Sequence, residues 1–137
     1  MRHAATLLAA CLLAVGAVGC SKSADEEAKD CATALTERTG GDPADTPTVS
    51  EAKGRVHAFD TALADMVRSG YEGVAKDAYD TAEKKFEEGG KDRPEACAPL
   101  SKDDYTVLLM AKWISGLGWT DKDGRFDKLK MLEGLRG

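Results

Sequence analysis

The chain has 137 residues, of which 19 are basic and 24 acidic, so its formal net charge is −5. A chain of this length is expected to form one small domain. Its acidic balance disfavours nonspecific attachment to nucleic acid or to anionic lipid head groups. We therefore expect no nucleic-acid partner.

The first twenty residues have the pattern of an export signal. Arg2 supplies a positive charge, and the run from Ala4 to Gly19 is apolar or small apart from Thr6. Such a segment directs a chain out of the cytosol. It is shorter than the roughly 20 apolar residues that a membrane-spanning helix needs.

Small residues at positions 17–19 precede Cys20, and this segment resembles the signal peptides of bacterial lipoproteins. The resemblance covers only residues 1–20. It implies that residues 1–19 are removed, that fatty acyl chains such as palmitate modify Cys20, and that residues 20–23 form a lipidated N-terminus and short tether. Two alternatives remain: lipidation at Cys11, or an ordinary secretory signal cleaved near Gly19.

The composition refines this expected location. The chain contains no Asn or Gln and a single Ile, at position 114, a bias that suggests a GC-rich genome by association. Together with the lipid signal, it favours the outer face of a Gram-positive cell membrane. Without residues 1–19, 18 basic and 24 acidic residues remain, a net charge of −6 that would suit a cationic partner.

Two cysteines remain in the exported part, Cys31 and Cys97. An even pair in an exported chain predicts a disulfide bond. The bond would close a loop of roughly 67 residues, for which the chain-entropy model gives about 4 kcal/mol of stabilisation. The alternative is two buried free thiols.

The first half of the exported chain predicts two helices. Ser23 and Glu26 have capping-box spacing, and apolar residues then recur at helical intervals, which predicts a helix over 24–38. The alternative for residues 21–30 is a disordered acidic tether. A linker follows at about 40–48. After it, apolar residues recur every three or four positions more regularly than anywhere else in the chain, which predicts a second helix from about 49 to Ser69.

The second half predicts three more helices and a loop. A third helix follows Gly70 and ends at Gly89-Gly90, and prolines around Cys97 predict a loop over 92–100. A fourth helix over 102–115 is apolar on nearly every side, so it should lie at the centre. A short final helix completes an all-α bundle of four or five helices with one disulfide, a single domain over 24–137.

Asp121, Asp123 and Asp127 surround Gly124 in the manner of a calcium-binding loop. Aligned on that glycine, however, Trp119 and Lys130 occupy the first and twelfth positions, where a calcium loop needs carboxylates. The interpretation that we favour is an Asp-rich turn in which Asp123 caps the final helix. We therefore expect no metal and no cofactor.

No residue pattern assembles a catalytic site. His57 on the second helix has no nucleophile-elbow pattern near any serine, and the pair Asp103-Asp104 suits a helix N-terminus. Tyr79, Trp119 and His57 are the candidate contact residues. We expect a noncatalytic module that binds a protein or cell-wall component, with a cell-envelope hydrolase or an inhibitor or immunity lipoprotein as the alternatives.

Overall fold

The computed structural model describes residues 22–89 and 92–137. The signal peptide and Cys20 lie outside these residues. The described part forms an all-α bundle with five α-helices and one 3-10 turn, which confirms the predicted fold class. The helices are α1 (Ala24–Thr39), α2 (Val49–Arg68), α3 (Glu72–Gly89), α4 (Lys102–Gly116) and α5 (Lys128–Arg136), with the 3-10 turn at Glu95–Cys97.

Helices α1, α2, α4 and α5 begin at residues with capping side chains. The Ser23 hydroxyl accepts a hydrogen bond from the Glu26 N–H at 3.2 Å, so α1 begins at Ala24 and residues 24–30 are helix rather than tether. Thr48 and Glu51 form a full capping box at the start of α2. These bonds satisfy N–H groups that a helix start otherwise leaves without partners.

Helix α4 is the centre of the bundle, as its all-round apolar sequence predicts. It packs against α1, α2 and α3. Leu108 and Leu109 are completely or almost completely buried, and Phe59 and Met66 of α2 lie in the same core. The periodic apolar positions of α2 therefore face the helix that is apolar on every side.

The final helix contributes Met131 to the core. Met131 is fully buried, whereas Leu129 is 71% exposed. The cap also differs from the prediction: Asp127, and not Asp123, accepts hydrogen bonds from the N–H groups of Leu129 and Lys130. Asp123 lies five residues before Lys128, the first residue of α5, too far to cap it.

Cys31 and Cys97 form the predicted disulfide bond, with the two sulfurs 2.01 Å apart. Both side chains are fully buried, and the bond joins α1 to the 3-10 turn. Arg93 holds the same loop, because its guanidinium donates to the carbonyl oxygens of Cys97 and Leu100. That guanidinium also lies 4.8 Å from the centre of the Tyr105 ring.

The backbones of α1 and α4 meet at Gly116. A Cβ atom added there would lie 1.9 Å from the carbonyl oxygen of Thr39. We expect Gly116→Ala to lower the free energy of unfolding by roughly 1–3 kcal/mol, because backbone atoms of two helices must move apart. Urea unfolding of the purified domain measures this change.

Gly54→Ala provides the matched control, since a Cβ at that position in α2 meets no atom within 4 Å. Alanine is a better helix former than glycine, so this variant should gain up to about 1 kcal/mol. Equal stability of Gly116→Ala and the wild type would contradict the close contact between α1 and α4.

Across residues 22–89 and 92–137, every helix is too short or too polar to cross a membrane.

Candidate functional site

A cluster of three charged residues lies between the linker, α2 and α4. Both terminal nitrogens of Arg55 donate to the carboxylate of Asp45, at 2.9 and 2.8 Å. Arg55 also donates to the carbonyl oxygen of Ala111, at 2.9 Å. The Lys112 Nζ donates to the Asp45 carbonyl oxygen at 2.6 Å and lies 3.7 Å from its carboxylate. One aspartate thus fastens the linker to two helices.

The cluster is largely removed from water. The side chains of Arg55 and Lys112 are 5% and 0% exposed, and that of Asp45 is 13% exposed. Burial by itself raises the pKa of Asp45, but the hydrogen bonds and positive charge of Arg55 outweigh it and hold the pKa below its ordinary value. Burial lowers the pKa of Lys112, against the opposing effect of Asp45.

The lowered pKa of Asp45 makes the stability of the domain depend on pH. A carboxylate with a lowered folded pKa contributes fully above its unfolded pKa of about 4, and this contribution is lost as pH falls through the folded value. We expect the urea midpoints of wild type and Asp45→Asn to differ by a constant amount from about pH 7 to about pH 5 and to draw together progressively as pH falls below about 4.

The comparison of wild type with Asp45→Asn isolates the effect of Asp45 protonation, because all other carboxylates titrate in both proteins. A difference in midpoint that stays constant into strong acid would show that Asp45 does not carry the effect.

Residues 120–126 form a tight loop beside this cluster. The Asp121 carboxylate accepts hydrogen bonds from the N–H groups of Asp123 and Arg125, at 2.8 and 3.0 Å. The bond from the Arg125 N–H is the largest of the influences that lower the pKa of Asp121. A single antiparallel bridge joins Thr120 to Phe126 across the turn.

The three candidate calcium ligands have other partners in this loop. Asp121 and Asp123 pair with the Arg125 guanidinium at 3.4 and 3.2 Å, and Asp127 caps α5. Among the residues that the structure places, no three His, Cys, Asp or Glu side chains form a metal-binding group. We expect added calcium to leave the melting temperature unchanged; a saturable rise would contradict the assignment of the loop as a structural turn.

Gly124 brings this loop into contact with the buried cluster. Its φ is +78°, a conformation that other residues rarely adopt. A Cβ atom there would lie 3.0 Å from the Arg55 Nη2 and 3.2 Å from the Asp45 Oδ1. The loop therefore packs its backbone directly on the ion pair.

The linker and the loop are the two walls of a cleft of about 1050 Å³. Helix α2 supplies part of the lining through Gly54, Arg55 and Ala58, and Ser115 of α4 also contributes. Five carboxylates and three cationic side chains line the cleft. They are Asp42, Asp45, Glu51, Asp121 and Asp123, with Arg55, Lys122 and Arg125.

The three contact residues proposed from the sequence do not lie together in the structure. Trp119 is 2% exposed and stacks on Phe59 with ring centres 6.0 Å apart, so it belongs to the core and not to a contact surface. Tyr79 is half exposed on α3, and His57 is exposed on α2. Neither of these two lines the cleft, whereas Asp121 and Asp123 do.

The residues considered for catalysis are not assembled in the cleft. Ser115 lines it, but His57 does not. The Asp103-Asp104 pair occupies the first turn of α4, where Asp104 lies 3.6 Å from Lys53. The helix N-terminus favours both carboxylates without any catalytic role.

Sequence reasoning missed the buried cluster, although one signal was present. Lys112 is the only charged residue between Tyr105 and Gly116, in the helix that must be buried on every side. A buried lysine requires a partner. Its partner Asp45 lies 67 residues away in the linker, and no local spacing connects the two.

No protein-family model, curated protein or solved structure matches this chain.

Proposed function

We propose that this chain is a lipid-anchored lipoprotein on the extracytoplasmic face of the cell membrane and acts as a noncatalytic binding module. The cleft between the linker and the 120–126 loop is its binding surface. The observation that carries this proposal is that both walls of the cleft rest on one buried ion-pair cluster, so the surface is held in shape before any ligand arrives.

The location rests on the sequence pattern that ends at Cys20, and the chemistry of the folded part agrees with it. The disulfide between Cys31 and Cys97 persists in oxidising surroundings outside the cytosol. Two or three acyl chains on Cys20 would keep the domain at a membrane, because each buried CH₂ contributes about 0.8 kcal/mol.

The shape and lining of the cleft favour binding over catalysis. At about 1050 Å³ it exceeds most small-molecule sites and suits a segment of a larger partner. Both guanidinium groups of the cleft are engaged with carboxylates, in the pairs Arg55 with Asp45 and Arg125 with Asp121. The carboxylates of Asp42 and Glu51 accept hydrogen bonds from backbone N–H groups. A general acid or base needs a titratable group free to exchange a proton with substrate.

Site-specific cross-linking in intact membranes tests the proposal. A photoreactive residue replaces Lys122 on the cleft wall in the full-length chain, and the same residue replaces Asp60, an exposed position of α2 outside the cleft. We expect adducts from position 122 that are absent from position 60. Adding Gly54→Leu, which places a side chain in the open space of the cleft, should remove them.

Identical adducts from both positions, or adducts from position 122 that survive Gly54→Leu, would contradict the cleft as the binding surface. A Cβ at position 54 meets no atom within 4 Å, so we expect Gly54→Leu to fold, and urea unfolding checks that it does.

A further inference from the structure

The cleft and the lipid anchor proposed at Cys20 are joined to opposite ends of α1. The Ser23 hydroxyl caps the N-terminal end of this helix by accepting from the Glu26 N–H at 3.2 Å. Ser23 follows Cys20 by three residues, which span at most about 11 Å. The 16 residues of α1 then extend over about 24 Å. The linker wall of the cleft begins just after the helix, at Asp42, so the helix separates the cleft from the anchor.

Two contacts fix the direction of α1 relative to the cleft. The disulfide between Cys31 and Cys97 joins the middle of α1 to the turn that precedes α4. At the C-terminal end, a Cβ atom on Gly116 would lie 1.9 Å from the Thr39 carbonyl oxygen, so the ends of α1 and α4 touch. The two helices therefore run in the same direction, and Ser115 near the end of α4 lines the cleft. The anchor enters at the beginning of this helix pair, and the cleft lies at its end.

The charges of the cleft are unsuited to contact with lipid. Five carboxylates and three cationic side chains, Lys122 among them, line the cleft, an excess of two negative charges. Anionic head groups repel such a surface. An acyl chain or an apolar membrane-embedded segment would take these charged groups out of water without offering them partners. A polar segment of a water-exposed protein, by contrast, supplies charges of both signs.

The anchor end of the domain is not attracted to anionic lipid either. Residues 22–30 carry four acidic and two basic side chains. Head groups therefore draw neither end of the domain toward the membrane. The anchor alone decides which end lies near the lipid, and it is attached to the end of α1 that is remote from the cleft.

We propose that the cleft opens on the side of the domain remote from the membrane and binds a polar, water-exposed segment of a partner protein. The inference rests on the proposed function and specifies the side from which the partner approaches. Helix α1 is a spacer of fixed length between the anchor and the cleft. The partner reaches the cleft from the aqueous side, beyond the lipid head groups, and lipid does not compete for it.

Fluorescence quenching in vesicles tests this orientation. Asp25→Cys places a fluorophore on an exposed position at the anchor end of α1, and Lys122→Cys places it in the cleft. Each mature lipoprotein then has one free thiol, because Cys20 carries the acyl chains and Cys31 and Cys97 are bonded to each other. The vesicles contain phosphatidylcholine and phosphatidylglycerol, with a nitroxide quencher on a fraction of the head groups. We expect the quencher to remove most of the fluorescence at position 25 and little at position 122.

Equal quenching at the two positions, or stronger quenching at position 122, would overturn the proposal, because the cleft would then face the lipid. A chain that begins at Ser21 and lacks acyl chains is the matched control, and neither position should be quenched in it. Quenching of position 122 in this control would also overturn the proposal, because the cleft itself would then bind the vesicle surface.

Mass spectrometry of the adducts formed in intact membranes tests the class of partner. A photoreactive residue in place of Lys122 should attach to peptides of another protein, and lipid or glycan adducts in their place would overturn the proposal. This failure is distinct from failure of the proposed function. If vesicle lipids quench position 122 while Gly54→Leu still removes the membrane adducts, the cleft binds its partner at the lipid surface, and only the orientation is wrong.

Discussion

Asp45→Asn is expected to lower the free energy of unfolding by about 3–5 kcal/mol, the range found when one partner of a buried ion pair is removed. The substitution leaves Arg55 and Lys112 buried without a carboxylate between them. It also loosens the linker, because Asp45 is the point at which both cations hold it. Urea unfolding at neutral pH measures the loss.

Lys112→Met is the matched variant that shows whether charge pairing or packing causes the loss of stability in Asp45→Asn. It removes a fully buried charge and keeps the bidentate pair between Asp45 and Arg55. Removal of Lys112 leaves one carboxylate paired with one guanidinium, so no buried charge is left without a partner, and one lost hydrogen bond costs about 1 kcal/mol. We therefore expect the free energy of unfolding of Lys112→Met to lie within about 1 kcal/mol of the wild-type value. Equal losses in both variants would show that packing, and not charge pairing, dominates this cluster.

Replacing both Cys31 and Cys97 by alanine is expected to lower the free energy of unfolding by about 4 kcal/mol. The bond closes a loop between residues 66 apart in sequence, and its loss frees the unfolded chain. For a small domain with a total stability of about 5–15 kcal/mol, this is a large share. Thermal and urea unfolding of the double variant measure the loss.

Reduction of the wild-type protein separates the cross-link from the packing of two buried side chains. Under a strong reductant the wild type should lose most of the stability that the double variant loses, because it keeps both sulfur atoms but not the bond. A reduced wild type as stable as the oxidised protein would show that the bond contributes nothing to the free energy of unfolding.

Local patterns in the sequence predict the helices closely because their causes are local. The capping residues Ser23, Thr48 and Ser101 lie directly before helices α1, α2 and α4. The buried positions of α2, such as Phe59 and Met66, follow the 3.6-residue period of the helix. The central place of α4 follows from its composition alone, because an apolar helix has to be covered on every side.

The cleft could not be predicted in the same way because it depends on long-range pairing. Asp45 is one of several acidic residues in a linker, and the sequence does not show that it reaches Arg55 and Lys112. The role of the 120–126 loop depends on Gly124 lying against the Arg55 guanidinium, a contact between distant parts of the chain. The spacing of aspartates around Gly124 made this loop a weak candidate for calcium and favoured a structural turn, whereas its position beside Arg55 makes it a wall of the cleft.

The proposed role places this cleft outside the cytosol, on a chain that is held at the membrane through Cys20. Mass spectrometry of the N-terminal peptide from protein purified out of its native membrane tests this most directly. The account predicts a chain that begins at Cys20 and carries acyl chains on that residue. An unmodified chain that still begins at Met1, recovered from the cytosol, would contradict it.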